Sequence, residues 1–549
     1  MKNTLWMAYG WVLIWLALVL ATFAWRGPIP IDETRYLTVA WEMWQRNDFL
    51  VPYLNGQPYS HKPPLLFWIY HLGWAISNVN DWWPRLVQPL FALFTGALTM
   101  LLARKLWPEY RNIAVASPWL LIGCVVWAFF IPFVMFDMAL AFFVLLGLWG
   151  LLLVNGSRVT TGWLLFIIAV ALGILAKGPV VLLHLAFPAI LAPWWSNSVG
   201  KNLFGWYSGL GLALVAAIAL VLAWALPAAS SGGQDYEQAI LWHQTVDRLG
   251  QAAPHKQSWW WYLFVLPILL LPWSLWLPIW KAIGNLKISQ DPGLRFCLAW
   301  IIPTFIVFSI LPSKQPHYLL PLLPGCVLVA ARAAVSNDTI ISRWTFITIS
   351  ILLVLAGIAL LVLPRINFLR LPHWSYEIHP LPGIALVVLG IFLMLLRRDN
   401  LKDAVIPIAL VSVMAVLLIE DGIFTAAQPA YSIENAAKFL GRLESQGEAL
   451  VNTEKYHGQF HFLGRLTKPF SEITKRNICF WLKNHGHGYA VSYSKNRPPV
   501  HEFQPEYSQS YRNHSWLAIW NAKTLCRQVS EFKKNRSSSL GNSNVLPVQ

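Results

Sequence analysis

Charge is almost absent from long stretches of this chain, and no other feature limits its folding as strongly. No charged residue lies between Lys2 and Arg26. Further uncharged windows run Arg85–Arg104, Arg111–Asp137, Asp137–Arg158, Arg158–Lys177, Lys177–Lys201, Lys201–Asp235, Lys256–Lys281, Arg295–Lys314, Lys314–Arg332, Arg343–Arg365, Glu377–Arg397 and Asp403–Glu420. Apolar runs of this length suit a bilayer core about 30 Å thick, and the shorter ones suit re-entrant segments. The windows predict a polytopic α-helical membrane protein with about thirteen transmembrane helices. The first window is too long for the core of a cleaved signal peptide and reads as a retained anchor.

Composition agrees. A soluble chain carries about 25% charged residues; here the share is 12% over 549 residues. The 32 tryptophans suit a chain with many membrane–water interfaces. A net charge of +16 raises nucleic acid as a partner. The spacing of the cations between apolar windows points instead to topology signals, and to attraction toward anionic membrane lipids. With the N-terminus cytoplasmic, the inside loops carry Arg104, Lys105, Arg111, Arg158, Lys201, Lys281, Lys287, Arg332, Arg343, Arg397, Arg398 and Lys402. This is the basic bias expected of cytoplasmic loops. Everything after Glu420 is then extracytoplasmic.

The same map gathers Asp32, Glu33, Arg35, Lys62, Asp137, Lys177, Asp235, Asp247, Arg248 and Lys314 at the outer face. A site at one interface, without an internal repeat, argues against a secondary transporter. Within the 26–85 outer loop, Thr34–Gln45 and Pro63–Ile76 have apolar faces at helical spacing but are too short to span, so they read as interfacial helices. Residues 1–420 are expected to form the membrane part and 421–549 a small α/β domain. From Tyr431 onward there are 16 Lys and Arg against 8 Asp and Glu. Ile433–Leu443 looks helical, Gly488–Tyr493 and Trp516–Trp520 look like strands, and the Ser/Asn-rich end from Arg536 suggests disorder.

Five cysteines are present and none forms a Cys-x-x-Cys pair, which leaves a zinc knuckle unsupported. Cys124, Cys297 and Cys326 lie in apolar runs. Cys479 and Cys526 lie in the polar region, where an oxidising compartment would allow them to pair; sequence alone does not show their proximity. No Gly-rich phosphate loop and no Gly-x-Ser-x-Gly elbow occurs, which argues against ATP hydrolysis and α/β-hydrolase chemistry.

Several residues have two readings. Asp32 suits a helix N-cap, but acids near hydrocarbon also mark function, and a helix N-terminus receives phosphate. Asp137, in Ile-Pro-Phe-Val-Met-Phe-Asp-Met, is either a turn residue or a second acid of one site. Lys62 and Lys177 suit snorkelling, yet with Arg35, Arg248 and Lys314 they form a cationic set fit for a phosphate head group. His61 and His243 are candidate ligands for a divalent metal.

The run Asp32-Glu33-Thr34-Arg35-Tyr36, then Glu42-Met43, Val51-Pro52, Asn55-Gly56 and Lys62-Pro63-Pro64-Leu65-x-x-Trp68, resembles the first outer loop of the lipid A aminoarabinose transferase family. That family is related to the protein O-mannosyltransferases, which share an Asp-Glu pair after the first span. Asp137, Ala176-Lys177-Gly178, His243 to Arg248 and Lys314-x-Pro-x-Tyr318 follow in the family's order. The resemblance implies a GT-C fold and inverting transfer of a sugar, aminoarabinose or a related amino sugar, from polyprenyl (undecaprenyl) phosphate to lipid A or a similar envelope acceptor. It implies Asp32 as the catalytic acid group, Asp137 and Glu33 as further acids of the site, and Arg35 as a positioning residue. Lys62, Arg248 and Tyr318, with Lys177 and Lys314, would hold the donor phosphate. His61 departs from the family, where Glu precedes the lysine; some relatives place a metal with that Glu and the histidine matching His243. Two other readings stand beside this one: a protein O-glycosyltransferase using the same donor, and a lipid or sugar flippase. The partners expected are the lipid donor, an envelope glycan or protein acceptor and membrane lipids, with no nucleic acid.

Overall fold

The computed structural model describes residues 2–240, 255–336, 341–366, 371–398, 400–498 and 503–541. Nine helices among them are long and apolar enough to cross a membrane. They start with Leu5–Trp25, Trp82–Leu106, Asp137–Val154, Val159–Lys177 and Leu203–Gly232. Pro292–Ile310, Pro316–Val335, Trp344–Arg365 and the long rod beginning at Leu401 follow.

Of the other four apolar windows, three are broken and the last forms a single short helix. Arg111–Ile122 is followed by a separate Val125–Phe130 helix, and Val180–Ile190 by Ala192–Trp195. The Lys256–Lys281 window holds Trp261–Leu269 and then Leu277–Gly284, and the last is Leu381–Leu395. Prolines inside or between these pieces, such as Pro118, Pro267 and Pro278, account for part of the breakage, because proline removes a helical N–H and clashes with the preceding turn.

Helices Asp137–Val154 and Val159–Lys177 form an antiparallel hairpin. A Cβ on Gly150 would meet the Gly162 carbonyl oxygen at 2.7 Å, so the two backbones nearly touch at that crossing. Close approach through small residues is how helices pack when no aqueous hydrophobic effect drives them together. The hairpin brings the first residue of one helix, Asp137, level with the last residue of the other, Lys177.

The segment between the first two spans is ordered. Helix Asp32–Arg46 carries an apolar face with Tyr36, Leu37, Val39, Ala40 and Met43 buried. A hairpin of β1 (Tyr53–Leu54) and β2 (Gln57–Pro58) follows, turning through Asn55 and Gly56 with φ of 52° and 77°. Two positive φ values are what an Asn-Gly turn of the primed type needs. Glu42 fixes the turn: its carboxylate accepts the Asn55 and Gly56 N–H groups at 2.6 and 2.9 Å. Helix Leu65–Ser77 comes next, after Pro63-Pro64. Both helices expected in this loop are present, with bounds moved by one to two residues.

The last span continues unbroken from Leu401 to Tyr431, beyond Glu420. Helix Glu434–Ser445 and a five-stranded sheet follow. The strands are β3 (Leu450–Asn452), β4 (Ser471–Glu472), β5 (Tyr489–Ser494), β6 (Tyr507–Tyr511) and β7 (Ser515–Asn521). Their order is β4-β3-β5-β7-β6, parallel at β3 and antiparallel from β5 to β6. Cys479 and Cys526 form a disulfide with a Cα–Cα distance of 5.0 Å. The final helix runs Ala522–Gly541, past Arg536, and residues 542–549 lie outside the described residues.

This C-terminal region sits on helix Asp32–Arg46 and the hairpin after it. Trp41 donates its indole N–H to Leu466 O at 2.9 Å. Asn55 exchanges two bonds with the Phe470 backbone, at 3.0 and 2.8 Å. Trp74 stacks on Phe462 with ring centroids 5.5 Å apart. His461, behind this contact, donates its Nε2–H to Lys468 O and accepts the Tyr456 hydroxyl at Nδ1.

Candidate active site

Several separate pieces of chain meet in a cavity of about 370 Å³. Helix Asp32–Arg46 supplies Asp32, Arg35 and Tyr36. The loop before Leu65 supplies Tyr59, His61 and Lys62. The helical hairpin supplies Asp137 and Lys177, and the turn entering the Pro316–Val335 span supplies Gln315, His317 and Tyr318.

Local rules explain each placement. Asp32 is the first residue of its helix and caps no N–H; its carboxylate pairs with Arg35 one turn on. Negative charge at a helix N-terminus is favoured by the backbone dipole, and Asp137 also begins a helix. Lys177 ends one, where a cation is favoured for the same reason. The Ala-Lys-Gly-Pro sequence makes that ending sharp: Gly178 takes φ 85°, its N–H bonds to Ile174 O at 2.7 Å, and Pro179 cannot continue the turn.

Asp137 and Lys177 then form an ion pair with both side chains under one-tenth exposed. The Lys177 ammonium also lies 5.0 Å from the centre of the Tyr318 ring. Lys62 lies 5.0 Å from the centre of the Phe136 ring, next to Asp137. Tyr36 meets Phe136 edge-on at 4.9 Å, which joins the Asp32 helix to the hairpin. Burial pushes the Tyr36 phenol's pKa up, so it stays a neutral donor.

The two acids differ. The Asp32 side chain is 63% exposed, whereas that of Asp137 is 3% exposed and is engaged by Lys177. Asp32 is therefore the carboxylate an incoming group can reach. Three cations (Arg35, Lys62, Lys177) face two carboxylates, so the lysines and arginine outnumber the acids by one.

Some expected residues lie elsewhere. Glu33 points away from this cavity: it accepts from Arg26 at 2.6 Å, from Ile29 N at 2.7 Å and from Val134 N at 2.8 Å. Arg26 in turn donates to Pro132 O at 3.1 Å, so Glu33 and Arg26 tie the Asp32 loop to the turn leading into Asp137. Lys314 is buried, and its ammonium donates to Gln257 O at 3.1 Å and to Leu311 O. It braces the turn that presents Gln315 and Tyr318 rather than lining the cavity. Asp235 stands in the short Gln234–Gln238 helix and does not line the cavity. His243, Asp247 and Arg248 lie outside the described residues.

His61 lines the cavity, with its ring 5.4 Å from that of Tyr59. No group of three or more His, Cys, Asp and Glu among the described residues could hold a metal. Both acids of the cavity already pair with cations, so the described residues do not fit a metal centre.

Sequence reasoning missed His317, Gln315, Tyr59 and His255, all of which line the cavity. His317 lies inside the Lys314-x-Pro-x-Tyr318 run, so the signal was present but assigned to its charged neighbour. His255 depends on a contact far along the chain: Lys314 N donates to His255 O at 3.1 Å.

The family model for dolichyl-phosphate-mannose-protein mannosyltransferase matches residues 61–224. The undecaprenyl phosphate-alpha-4-amino-4-deoxy-L-arabinose arabinosyl transferase of Pseudomonas paraeruginosa is 29% identical over 65% of this chain and 65% of its own length. The chain thus spans just under two-thirds of that relative. A second such transferase, from Pseudomonas fluorescens, is 28% identical over 77% of this chain and 76% of its own length. The crystal structure of ArnT from Cupriavidus metallidurans bound to undecaprenyl phosphate superimposes with a TM-score of 0.75 at 20% identity, covering 93% of this chain and 98% of that one. That superposition assigns the GT-C fold. Fold and sequence together lead to one statement of kinship: this multi-pass membrane chain has a GT-C fold and is similar in sequence to undecaprenyl phosphate-aminoarabinose arabinosyl transferases and, over residues 61–224, to the protein mannosyltransferases.

Proposed function

We propose that the chain is an inverting glycosyltransferase that moves an amino sugar, aminoarabinose or a close relative, from undecaprenyl phosphate to lipid A or a similar envelope acceptor. The observation that carries this reading is the cavity in which an exposed Asp32 faces Lys62, Lys177 and Tyr318. Sugar transfer from a phosphate needs the leaving phosphate's charge stabilised, and fixed cations in a partly dry site do this well. Lys62, Lys177, Arg35 and Tyr318 take that role, with Arg248 as a further candidate. Asp32 orients the acceptor, or accepts its proton if the acceptor is a hydroxyl. Asp137 holds Lys177 in place, Glu33 holds the loop, and Lys314 holds the turn of Tyr318.

The same reading sets the protein in a bacterial inner membrane with a cytoplasmic N-terminus. Residues 1–420 then form the catalytic membrane domain and the region from 421 a periplasmic domain. A protein acceptor is the second reading, favoured by the mannosyltransferase match over residues 61–224.

The test is transfer by the purified protein in liposomes. Undecaprenyl-phosphate-aminoarabinose is the donor, lipid A and a Ser/Thr peptide are the acceptors, and mass spectrometry reads the products. Modified lipid A is expected. Glycosylated peptide with unmodified lipid A would move the assignment to the second reading, and donor translocation without transfer would replace both.

A further inference from the structure

Asp32, Arg35 and Met135 form a wall shared by two cavities. One is the site described above. The other, of about 400 Å³, is lined by Phe129, Phe130 and Phe133 from the membrane part and by His457 and Arg512 from the C-terminal region. Glu33 also borders it, with its carboxylate engaged by Arg26. The second cavity is thus largely apolar, with a guanidinium and an imidazole at one side and the Asp32–Arg35 pair at the other.

Both C-terminal residues are held in place by the backbone. His457 precedes Gly458, whose carbonyl accepts from the Thr38 hydroxyl on the Asp32 helix. Arg512 lies in the turn between β6 and β7, and its N–H donates to Ala430 O at 2.8 Å, at the end of the last span. Next to it, Asn513 accepts the Tyr431 hydroxyl at 2.8 Å.

The backbone at Arg512 is unusual. Six described residues other than glycine have positive φ. Three are asparagines, which adopt this region readily. The other three, His255, Arg465 and Arg512, each line a cavity. Arg465 closes a helix, a common place for such a conformation. Arg512 occupies a hairpin position at φ 57° that glycine or asparagine would fill with less strain. A local rule broken beside a cavity is a pointer to function.

We propose that the second cavity is the acceptor subsite, and that Arg512 and His457 hold a phosphate monoester of the acceptor there. The proposal rests on the glycosyl-transfer reading and adds which residues of the C-terminal region choose the acceptor. A guanidinium binds phosphate through paired N–H donors. Burial, and then the charges of Arg35 and Lys455, lower the His457 pKa, so its ring is neutral at neutral pH and offers a single N–H. The reaction balances without a base. The bond from the anomeric carbon to the donor phosphate oxygen breaks, and its electron pair leaves with undecaprenyl phosphate. An acceptor phosphate oxygen, already anionic, forms the new bond to that carbon.

The test uses the full chain in liposomes with the aminoarabinose donor and three acceptors: lipid A, dephosphorylated lipid A and a Ser/Thr peptide. Arg512→Gly removes the guanidinium and relieves the left-handed backbone, so the variant is expected to fold. It should raise KM for lipid A roughly ten- to a hundred-fold, the scale of one charge-assisted contact. Donor affinity should be unchanged. His457→Ala should raise the same KM less, and Arg512→Lys should recover part of the loss. An unchanged acceptor KM, an equal loss of donor affinity, or wild-type turnover of dephosphorylated lipid A or peptide at the lipid A rate would overturn the acceptor subsite while leaving glycosyl transfer intact. No transfer by the wild-type protein to any of the three would overturn the function and the subsite together.

Discussion

Two carboxylate–cation pairs close the same cavity and are built in opposite ways. Asp32 and Arg35 lie one turn apart on a single helix, and the Asp32 side chain is open to solvent. Asp137 and Lys177 come from two helices forty residues apart in sequence and are both buried. An exposed pair between neighbours adds little to stability because water screens it. A buried pair is costly to break, because removing one partner leaves the other as an uncompensated charge. The comparison separates a group free to act on substrate from one committed to architecture.

The largest effect is expected from Lys177→Ala. It leaves Asp137 buried without its cation, at a cost of about 3–5 kcal/mol, and removes one of the three cations lining the cavity. A thermal melt in detergent should show the loss. Replacing Asp137 by Asn in the same chain should restore much of the melting temperature and none of the transfer. If the double variant melts as low as the single one, the two residues do not act as a pair.

Asp32→Asn is expected to cut transfer about a hundred-fold while leaving the melt within about 0.5 kcal/mol of the parent. Transfer at the parent rate would remove Asp32 from the mechanism. A large drop in stability would show it to be architectural after all.

The third effect is smaller and depends on pH. Burial lowers the His461 pKa to about 4, from an ordinary value of 6.5. The unfolded state therefore binds the proton more tightly, and stability falls as pH drops from 6.5 toward 4. At pH 5 the loss is about 2 kcal/mol. Since His461 lies behind the contact that holds helix Asp32–Arg46, acid should loosen the Asp32 side of the cavity before the Asp137 side. Hydrogen exchange at pH 7 and pH 5, on the parent and on His461→Gln, checks the order. Equal loosening on both sides would erase the contrast between the pairs.

Much of this was legible in the sequence, for identifiable reasons. Apolar residues at helical spacing predicted a helix over Thr34–Gln45, which is found as Asp32–Arg46, and Ala-Lys-Gly-Pro marked a break after an apolar run. What sequence did not resolve was direction. Asp32 and Glu33 are adjacent, so on a helix they point about 100° apart. Only the position of Arg26 shows which of them faces the cavity. Lys314 and Tyr318 posed the same difficulty: the motif located the turn, but not that the lysine would point back into its own backbone carbonyls. The three broken windows are uncharged like the others. Continuity depends on where proline falls relative to the helical hydrogen bonds, which composition does not record.

The helix from Leu401 to Tyr431, with Pro407 and Pro429 inside it, runs as one element from the apolar stretch into the C-terminal region, and the turn bearing Arg512 hangs from its Ala430 carbonyl. A rod of this kind acts as a lever. Spans adapt to a thicker or thinner bilayer by changing tilt, and a tilt at one end of a stiff rod displaces whatever is fastened to the other. The lipid surroundings thereby become an input to the geometry of the chemistry above them.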